Sequence, residues 1–121
     1  MKVIYENKVK ALGSCVNEFQ DENMFIIFGD NAPEELRDYC YSVDVNPING
    51  TIRAGQTLIV GDSSYKITAV GPEAPVTLAG LGHCTINLSG QTTVDLPGTL
   101  YVEKKPMPVI TVGTVIQINE E

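Results

Sequence analysis

Thr57-Leu-Ile-Val60, Gly61-Asp62-Ser63-Ser64 and Tyr65-Lys-Ile-Thr-Ala-Val70 follow one another without a break, and their reading decides the fold. Two short runs rich in β-branched and aromatic residues flank four small or polar ones, which is the pattern of two antiparallel strands joined by a hairpin. Runs of the same kind recur on both sides, at Val3–Tyr5, Met24–Phe28, Cys84–Leu88, Leu100–Val102 and Val115–Ile118. Ser89-Gly90 and Pro97-Gly98 punctuate the C-terminal half as turn residues do. Brief strands at this spacing predict an all-β fold, a small mostly antiparallel β-barrel or sandwich with one or two short helices.

The helical period appears once clearly. Pro33 suits a first helical position and Glu34 and Glu35 suit the positive end of the dipole, while Leu36, Tyr39 and Cys40 share one face. This predicts a short helix over Pro33–Tyr39 docked on the barrel. Pro75–Leu81 is a second, weaker candidate of a turn or two, stopped by Gly82. No helical run is long enough for a crossover, so no parallel βαβ unit is expected. Residues 13–22 carry no assignable pattern, and no repeat, low-complexity tract or linker divides the chain.

At 121 residues the chain suits one domain, 1–121, and with 43% apolar and 19% charged residues it has a globular composition. Eight basic against fifteen acidic residues give a net charge of -7, which repels nucleic-acid phosphates and anionic lipid and would suit a basic protein partner or simply solubility. The N-terminal Met1-Lys-Val-Ile-Tyr-Glu-Asn-Lys8 breaks its apolar run with charge at once, and no segment approaches the roughly 20 apolar residues of a membrane span. Cys15, Cys40 and Cys84 are widely spaced, with no Cys-x-x-Cys pair, and read as reduced thiols. A cytoplasmic location without membrane insertion is the expectation.

His83 is the only histidine, hence the one candidate for imidazole chemistry near neutral pH. If Cys84–Leu88 is a strand, Cys84, Ile86 and Leu88 face the core, while His83, Thr85 and Asn87 share the opposite, polar face. An imidazole flanked by a hydroxyl and an amide is suited to accept a phosphoryl group, with Gly80 and Gly82 letting the backbone come close to its oxygens. The plainer reading of a lone histidine on a polar strand face is solvated surface. Glu34, Glu35 and Asp38 read as a solvated helix face rather than an acid-base or metal site, and the cysteines as small core residues. No Walker or dinucleotide loop, Gly-x-Ser-x-Gly elbow or metal-ligand spacing occurs.

Val3-Ile4-Tyr5, Ala32-Pro33 with Leu36 and Tyr39-Cys40, Ile67-Thr68-Ala69-Val70-Gly71, Leu81-Gly82-His83 with Thr85, Pro97-Gly98-Thr99 and Gly113 come in the order and spacing of a known family. By these segments the chain resembles the glucitol/sorbitol-specific IIA component of the bacterial phosphoenolpyruvate-dependent sugar phosphotransferase system. The resemblance spans nearly the whole chain. It implies a relay in which the phosphocarrier protein HPr passes a phosphoryl group to a histidine on IIA, and IIA hands it to the IIB component of a sugar permease. It implies no metal or organic cofactor and a phosphotransferase working through its own phosphohistidine; here either His83, inside the matching Leu81-Gly82-His83 segment and with Thr85 on its face, is the acceptor, or the chain is a silent relative. One departure stands out: where the family often has its phosphorylated histidine, shortly after the Tyr-Cys pair, this chain has Tyr41-Ser42-Val43-Asp44-Val45.

Two functions of different classes follow: a phosphoryl carrier acting through an accessible His83, or a non-catalytic binding or regulatory β-module in which His83 is idle. A barrel enclosing a small ligand is disfavoured by the absence of Trp and by only 7% aromatic residues. A homodimer would hide the edge strands of a small barrel, although no single residue specifies it.

Overall fold

A computed structural model of the chain describes residues 2–16, 22–29 and 32–120. Along the chain run β1 (Lys2–Lys8), β2 (Ala11–Leu12), β3 (Met24–Gly29), α1 (Glu34–Arg37), β4 (Tyr41–Val43), β5 (Thr57–Val60), β6 (Ser63–Val70), α2 (Ala74–Leu81), β7 (Cys84–Asn87), β8 (Thr99–Val102) and β9 (Val115–Glu120). The hairpin read from 57–70 is present, with Thr57 opposite Lys66 and Val60 opposite Ser63. Its turn is tighter than expected: only Gly61-Asp62 lies outside the strands, and Ser63 and Ser64 already belong to β6. Gly61 has φ +60°, the left-handed conformation that the first position of a two-residue hairpin turn demands and that glycine adopts without strain.

β6 is long because it serves two partners. Its first half pairs with β5, its second half with β8, and the register shifts between Ile67 and Ala69. A bend of this kind lets one strand turn the corner between two packed layers. The strand order is β1-β9-β5-β6-β8-β7-β3-β4-β2, so the ladder is open at both ends. The expected alternatives of barrel and sandwich are thereby decided for a sheet folded on itself and not closed. The chain itself brings the two ends together, since only Val9-Lys10 separates β1 from β2. A side chain helps join this seam: Asn7 Nδ2 donates to the Asp44 carbonyl at 2.6 Å, and the Asp44 N–H donates to Asn7 Oδ1 at 3.1 Å.

Among the described residues six strand pairs are antiparallel and two, β3·β4 and β7·β8, are parallel. The expectation of no parallel βαβ unit is therefore corrected, because β3, α1 and β4 form one with a four-residue helix. A crossover needs about a dozen residues of chain to return to the same end of the sheet, not a long helix. Residues 30–40 and 88–98 supply that reach.

Ile4, Phe25, Ile27, Val43, Leu58, Ile67, Ile86, Leu100, Ile116 and Ile118 belong to one buried cluster between the layers. Each such side chain stabilises the fold by about 1.5–3 kcal/mol relative to leaving it exposed. A second, small cluster of Phe28, Ala32 and Cys40, with Ile26 against it, lies on the other face of β3. α1 lies where a helix is expected but is shorter than Pro33–Tyr39, with Pro33 as its non-helical N-cap, and its docking face is corrected: Leu36 and Tyr39 are 43% and 37% exposed, and of the three residues only Cys40 is buried. A single helical turn is too short to lay a stripe on the sheet, so the residues flanking it do the anchoring. α2 buries Ala74 and Leu78 and ends at Gly82 in the left-handed conformation, φ +69°.

Candidate functional site

β7 alternates as its sequence predicts, with Cys84, Ile86 and the following Leu88 buried and Thr85 and Asn87 half-buried on the other face. His83 immediately precedes the strand and is itself half-buried. The β3·β7 register pairs Ile26 with Thr85 and Met24 with Asn87. Continued by one pair, it sets Phe28 across from His83, and the two rings stack with centroids 4.3 Å apart and planes 19° from parallel. Phe28 is the residue that sequence reasoning missed. Its signal was present in Met24–Phe28, where Met24, Ile26 and Phe28 fall on one strand face, but their partner strand was not legible.

The stack covers one ring face and leaves the nitrogens unengaged: among the described residues neither makes a hydrogen bond. Burial lowers the imidazole pKa from its usual value, since removing water disfavours the charged form. At neutral pH the ring is therefore neutral, with one unprotonated nitrogen. Thr85, two residues along and about 7 Å away by strand rise, likewise has no hydrogen-bond partner among the described residues for its hydroxyl. It is flanked by Ile26 on β3 and by the buried Thr99 on β8. Asn87 Oδ1 is buried without a partner there.

The glycines do something other than cradle an anion. Gly80 lies within α2, and at Gly82 the N–H donates to the Leu78 carbonyl at 3.0 Å, while the His83 N–H reaches the Thr77 carbonyl at 3.2 Å. Those donors are consumed in closing the helix. A Cβ on Gly82 would come within 3.0 Å of the Gly29 N and 3.2 Å of the Asp44 carbonyl, so this glycine lets α2 end against the tips of β3 and β4.

Of the segment after Tyr39-Cys40, Tyr41 and Val43 point into the core, Val43 with no exposure at all; Ser42 is half-buried and Asp44 and Val45 are exposed. Glu34, Glu35 and Asp38 are exposed around α1, a solvated face as read from the sequence. Cys15, Cys40 and Cys84 are free thiols, and burial pushes Cys40 up to about 11 and Cys84 up to about 12. No described helix is long and apolar enough to cross a membrane.

Comparison with known proteins agrees with this architecture. The profile of the PTS system glucitol/sorbitol-specific IIA component matches residues 4–117. The PTS system glucitol/sorbitol-specific EIIA components of Shigella flexneri and Escherichia coli (strain K12) are each 30% identical over 119 residues, covering 98% of this chain and 97% of theirs. The crystal structure of a PTS system IIA component from Enterococcus faecalis V583 superposes with a TM-score of 0.82 at 26% identity, over 93% of this chain and 97% of that one. Matched over nearly its whole length by a family profile, by two sequences and by a solved fold, the chain belongs to the glucitol/sorbitol-specific IIA components of the sugar phosphotransferase system.

Proposed function

We propose that the chain, acting as one cytoplasmic IIA domain, accepts a phosphoryl group from phospho-HPr on His83 and passes it to the IIB component of a glucitol/sorbitol permease. The observation that carries this is the only imidazole in the sequence, half-buried, kept neutral by its burial, with its nitrogens unengaged among the described residues. In the transfer from phospho-HPr the unprotonated nitrogen of His83 attacks phosphorus as the bond between phosphorus and the donor's histidine breaks, and the donor ring leaves as neutral imidazole. In the transfer to IIB the roles reverse: a nucleophile of IIB attacks phosphorus, the N–P bond to His83 breaks, and the His83 ring leaves as neutral imidazole. His83 follows the C-terminal end of α2, whose partial negative charge gives a phosphoryl group no help. The hydroxyl of Thr85 is the nearby donor on the same face, and cations of the partner proteins would supply the remaining stabilisation.

A second reading has its own observation: the region after Tyr39-Cys40 offers no histidine, with Tyr41 and Val43 turned into the core and only Ser42, Asp44 and Val45 reaching solvent, as a non-catalytic binding or regulatory module derived from the family would. Incubation with phosphoenolpyruvate, the general phosphotransferase proteins and this chain, followed by intact mass, separates the two. The carrier gains one acid-labile phosphoryl group, and His83→Ala does not. An unlabelled wild type, under conditions where the Escherichia coli relative is labelled, selects the module.

A further inference from the structure

We infer that Asn7, on the far edge strand of the sheet, is a positioning residue for His83, an inference that rests on the phosphocarrier reading. Asn7 is 4% exposed and makes four hydrogen bonds. Nδ2 donates to the Tyr5 hydroxyl at 2.7 Å and to the Asp44 carbonyl at 2.6 Å, and Oδ1 accepts from the N–H groups of Lys8 at 2.9 Å and Asp44 at 3.1 Å. The amide thus pairs with both main-chain groups of Asp44, as a neighbouring strand would. The Asp44 carboxylate faces outward to Lys10 at 3.0 Å. It leaves the main chain of this residue to Asn7.

That main chain is what Gly82 rests against. The position of a Cβ on Gly82 lies 3.2 Å from the Asp44 carbonyl oxygen and 3.0 Å from the Gly29 N, so the residue before His83 is wedged between the ends of β4 and β3. From the β3 side Phe28 holds the ring. Asn7, Asp44, Gly82 and His83 form one chain of contacts across the seam that no ladder closes. Loosening its first link lets the end of β4 shift, and the imidazole loses its fixed place over Phe28.

The test uses the full chain with Asn7→Ala, and Asn7→Ser should the alanine variant fail to fold. Tyr5→Phe is the control, since it removes another Asn7 hydrogen bond and leaves the Asp44 pairing intact. Two readouts are taken: the His83 titration by NMR, and the phosphorylation rate with phosphoramidate, a small donor that needs no protein docking. Asn7→Ala is expected to slow phosphorylation about tenfold or more, as misplacement by a fraction of an ångström to one ångström does, and to move the His83 titration upward. Tyr5→Phe should lower the melting temperature and leave both readouts at wild type. Combining Asn7→Ala with Gly82→Ala should slow the reaction by less than the product of the single effects, because both act on one contact. Wild-type titration and rate in the Asn7 variants, or equal changes in Tyr5→Phe, would overturn the inference and make Asn7 merely structural. A wild type that phosphoramidate and phospho-HPr both fail to label would instead overturn the carrier reading, and the proposal with it.

Discussion

Replacing Phe28 by leucine tests whether the aromatic stack sets the state of the candidate nucleophile. Phe28 is 6% exposed; among the described residues it clusters with Ala32, Cys40 and Ile26, and its ring stacks on that of His83. Leucine keeps an apolar side chain there but forfeits the ring pair, worth about 0.5–1.5 kcal/mol, and leaves a partial cavity; the combined loss is about 1.5–2.5 kcal/mol. The pH dependence gives the sharper reading. His83 titrates below its unfolded value because burial disfavours the imidazolium. The stability it contributes is present above the unfolded pKa of about 6.5 and is lost as pH falls through that value toward the folded one. One proton allows a slope of at most about 1.4 kcal/mol per pH unit. Water admitted beside leucine should raise the pKa and flatten this component, while the carboxylate contributions stay the same in both proteins. Urea denaturation of both at pH 7.5, 6.5 and 5.5, with the NMR titration of His83, measures the difference. An unchanged titration in a folded Phe28→Leu protein would refute the claim that the stack desolvates the ring.

Thr85→Val should slow phosphoryl transfer by up to about a hundredfold without abolishing it, read by rapid-quench labelling; full activity would remove the hydroxyl from the mechanism. With Cys40 and Cys84 buried and their thiols pushed to about 11 and about 12, iodoacetamide at pH 8 should add quickly to Cys15 alone by intact mass. Reductant should leave the melting temperature in place, whereas a lost native disulfide would cost about 2–5 kcal/mol. Gly61→Ala should cost about 1–2 kcal/mol through its positive φ alone, because a Cβ there meets Thr114 at an ordinary 3.5 Å. A cost below a few tenths in urea denaturation would show that the turn relaxes.

Seven strands stand where the apolar runs lay, since alternation and β-branching act within a few residues and survive any tertiary arrangement. β2 and β4 escaped reading because two or three residues, Ala11-Leu12 and Tyr41-Ser42-Val43, make no run; they are strands only because neighbours offer them hydrogen bonds. Leu36 and Tyr39, expected on one docked face, lie exposed, and Tyr39 falls beyond the helix, as one turn of helix brings too little surface to the sheet. Gly82 was legible as a stop to α2 and not as the contact between α2 and the tips of β3 and β4.

By itself the sequence determined the β class, the two helical segments, the inward and outward faces of β7, the family and the identity of the one imidazole, because these depend on local periodicity, on segment order or on counting. Tertiary structure alone decided that two crossovers are parallel, that the sheet stays open with β1 and β2 drawn together, and that His83 lies on Phe28 with its pKa lowered. Each of these depends on which distant strands become neighbours. That choice is made by packing the whole core at once, and no window of a few residues contains it.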